Sequence, residues 1–284
     1  MTYHIPAPPD REGVTELVPH GQSGLRWMNL KRILLGSPGD ACEFSTGDDE
    51  VGLDLLVGAC RITLAGPWGD TVVENVRRIP GPLNSGPNLT YIPRATHVTL
   101  TCQEGPLHAV MAGAQSRQDF PPRQIDATAA SPETFGGGNM QRLVYPALGL
   151  EIEADRLMMG ETHVPSGHWS SYPPHKHDED RPPESVSEEI YHFYVEPSFG
   201  VGVQLLWTPD SDLGPALNEA YLLHSGDTVV IPRGYHPNAV APGCQMVTIW
   251  AYAGDRRTWG EWAADPRFIQ LLTRAGNEIE EKAG

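Results

Sequence analysis

His175-Lys176-His177, the run Glu189-Ile190-Tyr191-His192-Phe193-Tyr194, and Ile231-Pro232-Arg233-Gly234-Tyr235-His236-Pro237 are the stretches on which the reading of this chain turns. Side chains alternate along a strand, so His175 and His177 share one face while Lys176 points to the other. Both imidazoles can then touch one ion. After a polar loop, the second run reads as the next strand, with Glu189, Tyr191 and Phe193 on a common face and Glu189 able to supply an oxygen ligand. The third begins at Gly226-Asp227 as a strand. Its glycine and prolines force a turn that can aim His236 back at the same point.

The wider segment supports this convergence. Of the 11 histidines, His163, His168, His175, His177, His192, His224 and His236 all fall between residues 163 and 236, a clustering that asks for a reason. A lone H-x-H is more often structural than metal-binding, but here a carboxylate and a turn-borne histidine follow. Three imidazoles and one carboxylate suit one divalent ion per chain. Zinc or manganese are expected first, iron and nickel also accept the set, and the ligand list alone does not choose.

Outward from this segment the chain reads as all-β. With 30 Gly and 27 Pro in 284 residues, turn formers are frequent and dispersed, as when many short strands are joined by tight turns. The length predicts two domains. The reading divides the chain into an N-terminal segment over 1–24, a first β domain over 25–114 and a Pro-, Ala-, Ser- and Gly-rich connection over 115–140. A second β domain over 141–260 and a C-terminal helix over 261–284 follow, the helix opened by Asp265-Pro266 and packed on the outside of the barrel. Tyr91-Ile92-Pro93-Arg94-Ala95-Thr96-His97 echoes Val230-Ile231-Pro232-Arg233-Gly234-Tyr235-His236 at an offset of 232 − 93 = 139 residues, consistent with a duplicated unit. His97 has no H-x-H before it, so the first domain is expected to hold no metal.

The order H-x-H, Glu, then Gly and Pro ahead of a His resembles the two metal-binding motifs of the cupin superfamily. More narrowly, Trp169-Ser170-Ser171-Tyr172-Pro173-Pro174-His175-Lys176-His177-Asp178, Glu188-Glu189-Ile190-Tyr191 and Pro232-Arg233-Gly234-Tyr235-His236-Pro237 resemble the 5-deoxy-glucuronate isomerase family of inositol catabolism. Gly138, Asn139, Arg142, Gly254, Arg257 and Trp259 extend the likeness over most of 136–267. The resemblance implies a bicupin of two β-barrel (jelly-roll) domains, the ligands His175, His177, Glu189 and His236, and a homo-oligomer. It departs from the family at His168 and His192, and in Val247-Thr248-Ile249-Trp250-Ala251-Tyr252, which replaces a Tyr- and Met-containing strand that faces the family's pocket.

The implied reaction is an aldose to ketose interconversion of 5-deoxy-glucuronate, giving 5-dehydro-2-deoxy-gluconate. An isomerase of a 4-deoxy-5-keto-uronate, a cupin dioxygenase on the same ligand set, and a sugar-binding cupin without turnover are the rivals. Tyr191, on the Glu189 face, is the candidate for proton transfer. Arg233, Tyr235, Arg257 and Lys176 are the candidates for contact with the small sugar-acid substrate, although strand alternation turns Lys176 away from the metal.

A formal net charge of −16, from 36 acidic and 20 basic residues, repels phosphate backbones and anionic lipid surfaces, so neither nucleic acid nor membrane is an expected partner. No apolar stretch approaches the ~20 residues that cross a bilayer, and the opening Met1-Thr2-Tyr3-His4-Ile5-Pro6 lacks the pattern of a secretion signal; a cytoplasmic protein is expected. Cys42, Cys60, Cys102 and Cys244 form no C-x-x-C pair and read as buried free thiols.

Overall fold

The computed structural model describes residues 2–126, 130–209 and 216–274. Over these the chain forms two β lobes, and the helix Pro266–Arg274 is their one α-helix. In the first lobe the strands Gly13–Val18, Met28–Leu35, His97–Gln115, Asp49–Ala65, Leu89–Ile92 and Arg123–Ile125 lie side by side in that order. Asp49–Ala65 and His97–Gln115 pair through three register shifts between Leu55 and Cys60. Such bulges bend a long strand, which here wraps the pair around a core containing Ile33, Leu53, Ile62, Val98 and Met111.

The second lobe packs a seven-stranded sheet against a four-stranded one. Thr228–Ile231, Ser187–Glu196, Gln245–Gly254 and Leu157–Val164 are consecutive in the larger sheet; Gly202–Trp207 is central in the smaller. Phe193, Val229 and Met246 of the first meet Leu206, Leu223 and Val240 of the second in one core. Gly202–Trp207 alternates buried and half-buried residues, as a strand with one covered face must. Asp49–Ala65 and Ser187–Glu196 are instead buried almost without interruption. Their inner faces fill the lobes, and their outer faces meet in a third core that includes Leu56, Val110 and Met28 from one side and Ile190, Val247 and Ile249 from the other.

Two carboxylates clasp the lobes reciprocally. Glu188 accepts hydrogen bonds from the backbone amides of Arg26, Trp27 and Met28 at 2.6, 2.7 and 2.8 Å. Glu50 accepts from those of Asp155, Arg156 and Leu157 at 2.8, 2.6 and 2.7 Å and from the Tyr91 hydroxyl at 3.0 Å. Each carboxylate is the second residue of a central strand and holds the start of a strand in the other lobe. Beside them, Arg78 of the first lobe grips Glu161 of the second with both terminal nitrogens, at 2.5 and 2.7 Å, every partner fully buried.

Among the described residues the His177, Glu189 and His236 cluster lies in the second lobe, and the sheet register shows what stands at the matching place in the first. Ile231 pairs with Glu189, and Ile92, 139 residues earlier, pairs with Val51. A buried valine thus occupies the place of the carboxylate, and His97 is exposed near Glu43 at 3.6 Å.

The partition of the chain is more interleaved than composition suggests. His4–Ile5 adds to the edge of the second lobe's sheet, and the 115–140 connection gives Arg123–Ile125 to the first lobe and Glu133–Phe135 to the second. Two- and three-residue strands are too short to leave a hydrophobic period. Asp265 caps the helix through the Arg267 amide at 3.0 Å, as its position predicts. The helix does not lie on the outside alone, since Ile269 and Leu272 line the second lobe's cavity. Positions 275–284 of the expected helix lie outside the described residues.

Candidate metal centre and cavity

His175 and Lys176 form a two-residue strand paired with Ala263–Ala264, and the chain continues in the same sense to His177, whose carbonyl accepts the Ser187 amide at 2.9 Å. Alternation sends both imidazoles inward and Lys176 outward. The Lys176 ammonium is buried among Asp178, Glu179 and Glu184 at 2.6, 2.9 and 2.8 Å. Asp178 also accepts the Gly234 amide at 2.7 Å, tying the His175–His177 segment to the turn that carries His236. That turn needs its glycine: φ at Gly234 is +92°, and an added Cβ would stand 2.6 Å from the Trp207 carbonyl oxygen.

The ligand atoms of His177, Glu189 and His236 lie within 4.8 Å of one another. The His175 ring adjoins them, 4.9 Å from that of His236 and 6.4 Å from that of His177. In all three histidines Nδ1 faces a backbone carbonyl: Pro173 at 3.2 Å, Ser187 at 2.8 Å and Gly234 at 2.8 Å. A carbonyl oxygen only accepts, so Nδ1 carries the proton and Nε2 holds the lone pair, the arrangement that readies an imidazole for a metal. The Nε2 of His236 is buried with no hydrogen-bond partner. Burial, reinforced by the His177 imidazole, pushes His175 down to about 3; burial likewise brings His236 to about 3. His177 moves the other way, because the Glu189 carboxylate 3.2 Å away outweighs its burial. Two imidazoles held neutral, and a third whose Nε2 meets the Glu189 carboxylate where an ion would take the place of its proton, fit a divalent ion.

His175, His177 and Glu189 line a cavity of about 490 Å³, and the fully buried His236 adjoins them. Tyr191 stands in the cavity wall, its hydroxyl 2.9 Å from Ser171 Oγ and its ring 5.9 Å from that of His236. Burial and the nearby Glu189 raise its phenol well above the ordinary tyrosine range, so it stays protonated near neutral pH.

None of Lys176, Arg233, Tyr235 and Arg257, the residues expected to contact substrate, lines the cavity. Lys176 is occupied by its three carboxylates. Arg257 donates to the carbonyls of Leu148, Gly149 and Ile152, holding a loop. Tyr235 packs on Trp207, ring to ring at 5.7 Å, because alternation through the turn sends 235 opposite to 236. Arg233 is half-buried outside the lining. Arg142 does line the cavity, and its guanidinium donates to the carbonyls of Met140 and Tyr172 at 3.0 and 3.2 Å. Arg142 and Trp259 carried part of the family likeness but no assigned role. Trp250 and Tyr252 lie on the 247–252 strand that the family likeness places at the pocket, whereas Trp262 left no local signal of a site, because an aromatic in a β segment reads first as core. His192 turns away from the cavity, with Nδ1 2.9 Å from Thr228 Oγ1.

A family model described as the KduI/IolB family matches residues 7–270. A curated protein of Geobacillus kaustophilus named 5-deoxy-glucuronate isomerase is 30% identical over 255 residues, 88% of this chain and 88% of that protein. One of the same name from Lacticaseibacillus casei is 38% identical over 152 residues, 53% of this chain and 55% of its own length. Among solved structures, an IolB-like protein of Salmonella typhimurium LT2 superposes with a TM-score of 0.86 at 24% identity, covering 95% of this chain and 99% of that one. An oxalate decarboxylase of Lactobacillus farciminis gives 0.66 at 10% identity, over 95% and 90% of the two chains. At these identities the structural likenesses establish the cupin fold.

Proposed function

The chain belongs to the KduI/IolB family and is an isomerase, and on that premise we propose that it converts 5-deoxy-glucuronate to 5-dehydro-2-deoxy-gluconate with a divalent ion held by His175, His177, Glu189 and His236. The carrying observation is the convergence of His177, Glu189 and His236, with His175 beside them, at a cavity lined by His175, His177, Glu189 and the Tyr191–Ser171 hydroxyl pair. A bound ion supplies Lewis acidity, which polarises a carbonyl and eases loss of the proton on the adjacent carbon.

The reaction moves one proton from C2 to C1 and another from the C2 hydroxyl to the C1 oxygen. Tyr191, kept as the phenol by burial and Glu189, is suited to the second of these. Its Oη donates to one substrate oxygen and, with Ser171 Oγ at 2.9 Å, forms a two-hydroxyl path along which a proton reaches the other. Arg142 provides the positive charge for the carboxylate end of the substrate. The His175–His177 segment is held by the Ala263–Ala264 strand, so the residues closing the cavity also fix the ligands.

Protein loaded with manganese or zinc and incubated with 5-deoxy-glucuronate in deuterated water is expected to lose the aldehyde signal in proton NMR and gain a ketose. Absence of conversion with the site full sinks this reading. A homo-oligomer in the cytoplasm belongs to the same proposal. Exposed Phe199 and Leu222, at 82% and 59%, are apolar surface suited to association, and light scattering reads the subunit number.

A further inference from the structure

Four aromatic rings follow one another around the cavity, from one candidate ligand to another. Tyr252 stands 6.1 Å from the His177 ring, Trp250 stacks on Tyr252 at 5.8 Å, and Trp259 stacks on Trp250 at 5.6 Å with planes 29° apart. Trp262 meets Trp259 edge-on at 6.1 Å and ends 5.1 Å from the His175 ring. All four line the cavity.

The collar is held in register with the ligands. Trp259 and Trp262 lie on the segment whose Ala263–Ala264 strand pairs with His175–Lys176, and the Asp265 amide donates to the Pro174 carbonyl at 2.8 Å. Trp250 has its place because position 160 is glycine: a Cβ there would come within 2.5 Å of the indole and 2.1 Å of the Tyr145 carbonyl.

This apolar collar surrounds a site proposed to act on a sugar acid. An ordinary uronate carries a hydroxyl on every carbon between its ends, and a hydroxyl pressed against the carbon framework of these rings loses water without gaining an acceptor for its proton. A methylene loses nothing. With C1 and C2 at the ligand cluster, C5 lies about 5 Å along the chain, by bonds of about 1.5 Å. Tyr252 and Trp262 are the rings next to the ligands, and Trp250 and Trp259 stand one ring further on, the part of the collar left to carbons remote from the ligand cluster.

We propose that the stacked Trp250–Trp259 pair is the specificity wall of this site: it receives the deoxygenated carbon of the substrate and disfavours the acid with a hydroxyl there. The inference rests on the sugar-acid reading above.

Its test is binding rather than turnover. Metal-loaded protein is titrated by calorimetry with 5-deoxy-glucuronate and with glucuronate, each reduced at C1 to the alcohol so that neither can isomerise. The deoxy acid is expected to bind tighter by about 10- to 100-fold, the range in which an apolar pocket discriminates against one added hydroxyl. Trp259 is half-buried and tolerates exchange: Trp259→Gln, which offers hydrogen bonds at the wall, is expected to bring the ratio close to unity, whereas Trp259→Phe retains most of it. Trp259→His serves the same purpose if the glutamine variant does not fold. Equal binding of the two acids by the native protein, binding of neither, or an unchanged ratio in the polar variant overturns the wall. Conversion of 5-deoxy-glucuronate without this selection sinks the wall alone, and selection without conversion sinks the isomerase.

Discussion

At the scale of single residues, the centre is assembled from groups whose second hydrogen bond is as specific as the first. Each histidine spends Nδ1 on a carbonyl, and Glu189 lies between two of them, 3.2 Å from His177 and 3.3 Å from His236. Glu189→Gln keeps the shape and removes the charge, so metal content measured by plasma mass spectrometry after dialysis is expected to fall by about 10- to 100-fold or more in affinity. Retention of native metal content by this variant removes Glu189 from the ligand set. Gly160 makes a different kind of demand. Gly160→Ala forces a methyl into the Tyr145 carbonyl and the Trp250 ring, and is expected to cost about 1–3 kcal/mol in urea denaturation.

At the scale of elements, the strand Ser187–Glu196 has two duties one residue apart. Glu188 holds the other lobe and Glu189 faces the cavity. Glu188→Ala leaves the amides of Arg26, Trp27 and Met28 without their acceptor, at about 1–3 kcal/mol each where they stay dry. The expected result is a stability loss together with weaker metal binding, because the strand is freed beside its ligand. Glu50→Ala is the control: it breaks the opposite clasp and is expected to lower stability with metal affinity unchanged. Equal metal affinity in both variants would show that the clasp does not position the ligand.

At the scale of the whole molecule, the lobe interface stores buried polar groups that make the fold sensitive to acid. His108 and His192 meet edge-on at 6.3 Å across it. Burial, with Arg32 near both, pushes His108 down to about 4 and His192 to about 3. Both are neutral when folded and titrate near 6.5 when unfolded. The unfolded chain therefore binds more protons below pH 6.5, and stability falls from there until the folded pKa values are reached. At 1.36 kcal/mol per pKa unit the loss approaches about 3 kcal/mol for each histidine by pH 4. Melting temperatures between pH 7 and pH 4.5 are expected to drop, and His108→Gln is expected to flatten that dependence. A pH profile unchanged in His108→Gln would assign acid sensitivity elsewhere.

Period-two alternation is local and leaves its mark on the sequence. It placed His175, His177 and Glu189 on inward faces and turned Lys176 outward, and the glycine and prolines around His236 announced the turn. The β class was legible for the same reason. What encloses the centre left no mark in the local pattern, and only family likeness pointed to Arg142 and the 247–252 strand. Arg142, Trp250, Tyr252 and Trp262 come from separate strands and from the C-terminal segment, and their shared cavity exists only after sheet pairing has brought residues about a hundred positions apart to one face. The reciprocal carboxylate clasps are equally silent, because a glutamate that binds another lobe's amides has the same local pattern as one that faces water. Sequence determined which side chains point inward; tertiary structure decided which of them meet, because direction follows from the backbone's own period and proximity from the closing of the sheets.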